Sequence, residues 1–182
     1  MKKKIAFVHN AMWEMYNFRG ELLQELKAKG YEITVICPPD EKNAHYFTDL
    51  GIKLLTVPMS RKGTNIKEDL QLVKNLFKVY KKEKFDLVFH YTIKPNIYGT
   101  LAAKLAGIKS IAITTGLGYV FLHNNITSLI AKFMYKFSLA FANEVWFLND
   151  DDMNIFLDKD LITERQAFKL PSEGINTKRF VP

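Results

Sequence analysis

Four short stretches hold side chains capable of chemistry, and each directly follows an apolar run of strand length. "HNAMWEMYNFRG" supplies His9, Asn10, Trp13, Tyr16, Asn17 and Arg19, and "HYTIKPN" supplies His90 and Lys94. "TGLGYVF" supplies Gly116, Leu117, Gly118 and Tyr119, and "NDDD" supplies Asp150, Asp151 and Asp152. A long aromatic loop opening onto a helix N-terminus suits a sugar face plus a phosphate, because rings stack while amides and the helix dipole attract an anion. Arg19, expected in the first turn of a helix over 18–30, opposes that dipole unless an anion also visits. The alternative is a surface arginine pointing away. His90 and Lys94 put an imidazole and an ammonium beside Pro95, which opens a helix and makes a second anion-friendly corner. A histidine at a strand end is also a common structural group. Gly116 and Gly118 let backbone amides approach a ligand closely, or simply form a turn.

Other chemistries are excluded by what these loops lack. The first loop has no G-x-G-x-x-G and the chain has no G-x-x-x-x-G-K-[ST], which argues against a dinucleotide site and a P-loop. The aspartates fall where a helix starts, the place where acids cap amides, so they predict a helix N-terminus rather than a Mg²⁺ site. His9, His45, His90 and His123 show no zinc-ligand spacing with one another or with Cys37. Neither a metal nor a cofactor is expected.

The elements that must hold these loops alternate along the chain. Strands are predicted at 4–9, 32–37, 52–58, 86–91, 110–115 and 144–148, with "AFKL" as a seventh. Between them lie helical patterns, including 18–30 with Leu22, Leu23 and Leu26 on one face. Another starts at Asn65, with Glu68 in a capping box and Ile66, Leu70, Val73, Phe77 and Tyr80 as its stripe. Gly99, Ala102, Ala103 and Ala106 form a small-residue face for close packing. The predicted fold is α/β: a Rossmann-like, doubly wound, mostly parallel sheet of six or seven strands, with helices on both faces.

A length of 182 residues fits one domain, and 48% hydrophobic with 25% charged residues is ordinary for a globular protein. The net charge of +7 points to an anionic partner. No helix-turn-helix, zinc-finger or RNA-recognition signature accompanies it, so nucleic acid is not expected. The lone Cys37 fits a reducing cytoplasm and a small buried side chain. No signal peptide or membrane span is evident. "ITSLIAKFMYKFSLAFA" (126–142) is unusually apolar, with Ser128, Lys132 and Lys136 as a narrow polar stripe. It reads either as a helix packed on the sheet or as one resting on anionic lipid.

Taken together, "YNFRGELLQELKAKGYEITVICP", "DLVFHYTIKPNIYGTLAAKLAGI", "ITTGLGYVF" and the closing "EGINTKRFVP" resemble the N-terminal domain of family 4 retaining glycosyltransferases of GT-B architecture. The subgroup most resembled extends undecaprenyl-diphosphate-linked sugars in bacterial surface polysaccharide or glycan assembly. The resemblance implies that residues 1–170 form the acceptor-binding domain and that 171–182, with Glu173 and Gly174, begin an interdomain hinge. It further implies a second domain that carries most contacts to a nucleotide sugar, expected to be a UDP-sugar, and a C-terminal helix that returns to this one. The chain alone is then inactive; its expected place is the cytoplasm, free or on the inner face of the membrane. By the same resemblance His9, Asn10, Tyr16, Asn17 and Arg19 line the cleft, while His90, Lys94 and Gly116 to Tyr119 face the acceptor. Many relatives carry a histidine just after strand five, where this chain reads Thr115-Gly116-Leu117, so no residue is assigned as general base. The competing reading is a non-enzymatic nucleotide-binding Rossmann module, which would bind a nucleotide tightly by itself.

Overall fold

A computed structural model describes residues 2–61, 65–117, 126–171 and 174. Seven parallel strands lie in the order β3-β2-β1-β4-β5-β6-β7: β1 (Lys4–Val8), β2 (Glu32–Cys37), β3 (Lys53–Thr56), β4 (Leu87–Tyr91), β5 (Lys109–Thr114), β6 (Glu144–Phe147) and β7 (Ala167–Lys169). The order reverses between β1 and β4, which are in register from Ile5 opposite Leu87 to Val8 opposite His90. A reversal of this kind opens a crevice beyond the carboxyl ends of the two strands.

Helices cover the sheet from both sides: α1 (Met12–Ala28) and α2 (Glu41–Asp49) on one face, α3 (Ile66–Glu83), α4 (Thr100–Ala106), α5 (Ile126–Leu139) and α6 (Asp150–Asp158) on the other. The central strands read as continuous apolar runs because both of their faces are buried. On the α1 side the far half of the sheet carries an aromatic row. Phe89 meets Trp146 at 5.5 Å and Trp146 meets Phe168 at 5.3 Å between ring centroids, and Phe168 is 46% exposed.

Three helices depart from their sequence patterns. The first begins at Met12 rather than 18, because Met12, Met15, Arg19 and Leu23 fall at helical spacing on its buried face. A buried arginine in that stripe hides the period, and Leu22 faces solvent. In α3 the buried positions are Asp69, Leu72, Leu76 and Tyr80, whereas Ile66 and Leu70 are exposed. Asn65 does cap it, accepting from the amides of Lys67 and Glu68. Helix α5 buries Ser128, Tyr135, Ser138 and Leu139 and turns Ile126, Leu129, Ile130, Phe133 and Phe137 outward. Its apolar side is therefore the exposed one.

A π-helical turn (Pro95–Gly99) precedes α4 and brings the backbone of Gly99 onto His90. A Cβ there would lie 2.5 Å from His90 Cδ2. Gly99→Ala is accordingly expected to cost roughly 1–3 kcal/mol through overpacking, read from the urea midpoint. An unchanged midpoint would show that the ring moves aside freely.

Candidate functional site

The carboxyl edge of the sheet gathers the polar side chains of the β1, β4 and β5 loops. His9 follows β1 and is buried. Its Nδ1 accepts the Ala11 amide at 3.0 Å, leaving the Nε2 edge 3.8 Å from Glu14 Oε2. Burial, then the nearby Arg19 and Arg61 guanidiniums, lower its pKa to about 4. The imidazole is neutral at pH 7, so it orients and hydrogen-bonds rather than carrying charge.

Arg19 lies two turns inside α1, not in its first turn, and is 7% exposed. The dipole argument for an anion at that residue therefore lapses. Its guanidinium instead sits 4.8 Å over the Tyr91 ring, a cation–π contact strengthened by burial. Tyr91 is also 6.0 Å from the His9 ring. The α1 N-terminus itself, at Ala11, has no side-chain cap. A cleft of about 310 Å³ lies beside it, lined by Asn10, Met12, Trp13, Pro38, Asp40 and Arg61 among others. Arg61 pairs with Glu14 across its rim, and the Trp13 ring is half-exposed there.

Asn10 Oδ1, Thr92 Oγ1 and Thr114 Oγ1 are among the buried side-chain oxygens with no hydrogen-bond partner among the described residues. They follow or end β1, β4 and β5, three adjacent strands. An unpaired buried hydroxyl or amide oxygen costs about 1–3 kcal/mol. Thr92 also holds a left-handed backbone at φ 70°, costly for a β-branched residue and characteristic of ligand-binding loops.

The other residues named from the sequence separate. Tyr16 stacks on Tyr46 of α2 at 4.0 Å, packing helix on helix, with Asn17 beside it in α1. His90 does not open on the cleft. It alternates with Tyr91 along β4, so it points to the opposite face, fully buried between the hydroxyls of Tyr80 (2.9 Å) and Thr100 (3.3 Å). Burial lowers its pKa to about 3. Lys94 is likewise not a free cation: it is buried against Asp69 at 2.7 Å and Ser60 at 2.8 Å. Gly116 adopts φ 142° after β5, and Leu117 packs against the α5–α6 core. Gly118, Tyr119 and Glu173 lie outside the described residues, while Gly174 has φ 72°.

The aspartates behave as helix-start residues. Asn149 caps α6 by accepting from Asp152, and Asp150 pairs with Lys169 at 2.5 Å. Burial pushes the Cys37 thiol up to about 12, which makes it unreactive. Sequence patterns missed Tyr91, Thr92, Thr114 and Asp69. A strained φ, an orphaned oxygen and a long-range ion pair leave no local signal.

The profile described as Glycosyl transferase 4-like matches residues 4–149. The chain belongs to that family. It is 31% identical over 98% of its length to the N,N'-diacetylbacillosaminyl-diphospho-undecaprenol alpha-1,3-N-acetylgalactosaminyltransferase of Campylobacter jejuni. It is 24% identical over 84% to the UDP-Gal:alpha-D-GlcNAc-diphosphoundecaprenol alpha-1,3-galactosyltransferase of Escherichia coli. The chain spans only 48% of the first relative and 39% of the second. Among solved structures, a glycosyltransferase from Rickettsia africae superimposes with a TM-score of 0.72 at 21% identity, covering 97% of this chain and 44% of that one. A UDP-N-acetylglucosamine 2-epimerase gives 0.69 at 17%, covering 93% and 48%. Transferases and epimerases share this architecture, so these likenesses speak for the fold, that of a GT-B N-terminal domain.

Proposed function

We propose that this domain is the acceptor-binding half of a retaining glycosyltransferase that moves a sugar from a nucleotide sugar, a UDP-sugar by this reading, to a lipid-linked glycan. The observation that carries the proposal is the row of orphaned oxygens on Asn10, Thr92 and Thr114, aligned along the carboxyl edge beside His9 and Arg19. Acceptor hydroxyls complete such a row, and a water-excluded edge makes each hydrogen bond count in orientation. The names of both relatives, each specifying a diphospho-undecaprenol acceptor, support the same substrate class. A partner domain supplies most donor contacts in this reading, so the chain alone is inactive. A helix of that partner packs over the Phe89, Trp146 and Phe168 row.

Binding decides between this reading and a self-sufficient nucleotide module. By NMR titration, the 182-residue chain is expected to bind a short-chain polyprenyl-diphospho-sugar at least about tenfold more tightly than UDP-GlcNAc, in keeping with its place as acceptor platform. Tight UDP binding without acceptor binding would overturn the proposal. In the longer protein, Arg19→Ala should cut transfer at least about tenfold by loosening the Tyr91–His9 corner, and unchanged turnover would remove Arg19 from the site.

The acceptor class also calls for a membrane surface. No helix among the described residues is long and apolar enough to cross a bilayer. On α5, Ile130, Phe133, Phe137 and Lys136 are exposed and Lys132 is half-buried, the composition of a helix lying at an anionic interface. Changing both lysines to Glu should lower binding to phosphatidylglycerol vesicles at least about tenfold, since each basic residue contributes about 1 kcal/mol there. Equal sedimentation of the two proteins would retire the membrane role.

A further inference from the structure

A second cleft, of about 400 Å³, opens between the β3 loop and the start of α3, within the size range of small-molecule sites. Its wall is built around the Lys94–Asp69 pair, whose side chains are only 9% and 8% exposed. Each member is held from behind. Ser60 Oγ accepts from Lys94 at 2.8 Å, and the Tyr98 hydroxyl donates to Asp69 Oδ2 at 2.8 Å. Burial, then the Asp69 carboxylate, push the Tyr98 phenol pKa up, so it remains a donor. An ammonium has three N–H donors, and Asp69 and Ser60 take two. Lys94 is among the residues that line the cleft.

We propose that this cleft binds a neutral pyranose ring of the acceptor glycan, with Lys94 donating to one ring hydroxyl and the acidic and amide groups of α3 accepting from its neighbours. This rests on the acceptor-platform reading above and adds which part of the acceptor sits where. Charge balance selects the ligand class. Lys67 and Lys94 are offset by Glu68 and Asp69 in the same wall, so neither a phosphate nor a cation gains net attraction, and a diphosphate is not placed beside Lys94. Hydroxyls, in contrast, both donate and accept, and the wall offers both. Gln71 donates to Asn75 at 2.7 Å, which leaves the Gln71 carbonyl and the Asn75 amide protons available. Pro58, Met59 and Leu72 form an apolar floor for the C–H face of a ring. Because the ion pair is already locked, binding a sugar there immobilises little further.

The test is NMR on the 182-residue chain, with methyl resonances of Met59 and Leu72 as reporters and methyl N-acetylhexosaminides, methyl hexosides, inorganic phosphate and UMP as probes. A neutral pyranoside is expected to shift both methyls saturably, with phosphate and UMP leaving them unmoved. Lys94→Met should weaken that binding at least about tenfold, as loss of a charged donor to a hydroxyl does. Asn75→Trp, which fills the cleft from a partly exposed helical position, should abolish it without touching the ion pair. That second variant keeps the proposal open to refutation if Lys94→Met fails to fold. Phosphate shifting the same methyls, no pyranoside response, or a full response in Asn75→Trp would each overturn it. Transfer in the longer protein is read separately, so a silent cleft beside active transfer sinks this inference alone, and sugar binding without transfer sinks only the enzymatic reading.

Discussion

Taking this domain from pH 7 to pH 4 is expected to remove most of its stability. Two histidines are held neutral inside it, His9 with a pKa lowered to about 4 and His90 to about 3, against an ordinary 6.5. Below pH 6.5 the unfolded chain takes up both protons while the folded chain refuses them. Stability is therefore full above that value and falls as the pH drops through the folded pKa values. Each histidine contributes on the order of 3 kcal/mol to the drop, a large share of the roughly 5–15 kcal/mol that holds a domain together. For His9 the facing charges are Arg19, Arg61 and Glu14; for His90 burial is the cause, with the Tyr80 and Thr100 hydroxyls on its nitrogens. Urea unfolding at intervals from pH 7 to 4.5 should show this slope, and His9→Asn with His90→Gln should flatten it. An equal slope in the double variant would place the acid sensitivity elsewhere.

How much of this was legible beforehand follows the range of each interaction. The seven-strand order rests on apolar runs between helical patterns, a local signal that right-handed crossovers convert into topology. The Asn65 cap is equally local. Register within helices failed wherever a polar residue occupies the buried face. Arg19 lies inward because Tyr91 takes its charge, and Asp69 because Lys94 does. Both partners come from β4 and its loop, brought alongside only by the fold. With a polar residue on each buried face, the apolar stripe predicted from the sequence is rotated around the helix, and Leu22 in α1 and Ile66 and Leu70 in α3 are exposed. The cleft suffered in the same way. His9 and Asn10 could be placed from the end of β1. Whether His90 or Tyr91 faces the crevice depends on strand alternation counted from an uncertain end, and a shift of one residue exchanges them.

Asp69→Ala should be the most damaging single substitution on the α3 side of the sheet. Removing the carboxylate leaves the Lys94 ammonium buried with Ser60 as its remaining hydrogen-bond partner among the described residues, and the Tyr98 hydroxyl loses its acceptor. Breaking one side of a buried pair costs about 3–5 kcal/mol, because an uncompensated charge remains where water cannot reach it. Lys94→Ala should cost about as much for the mirror-image reason. The double variant removes both charges together and should cost less than either single variant, which marks the loss as stranded charge rather than attraction forgone. Chemical unfolding of the four proteins closes this cycle. Strict additivity would mean that Asp69 and Lys94 are solvated independently, and the rigid wall between β3 and α3 would then lack its physical basis.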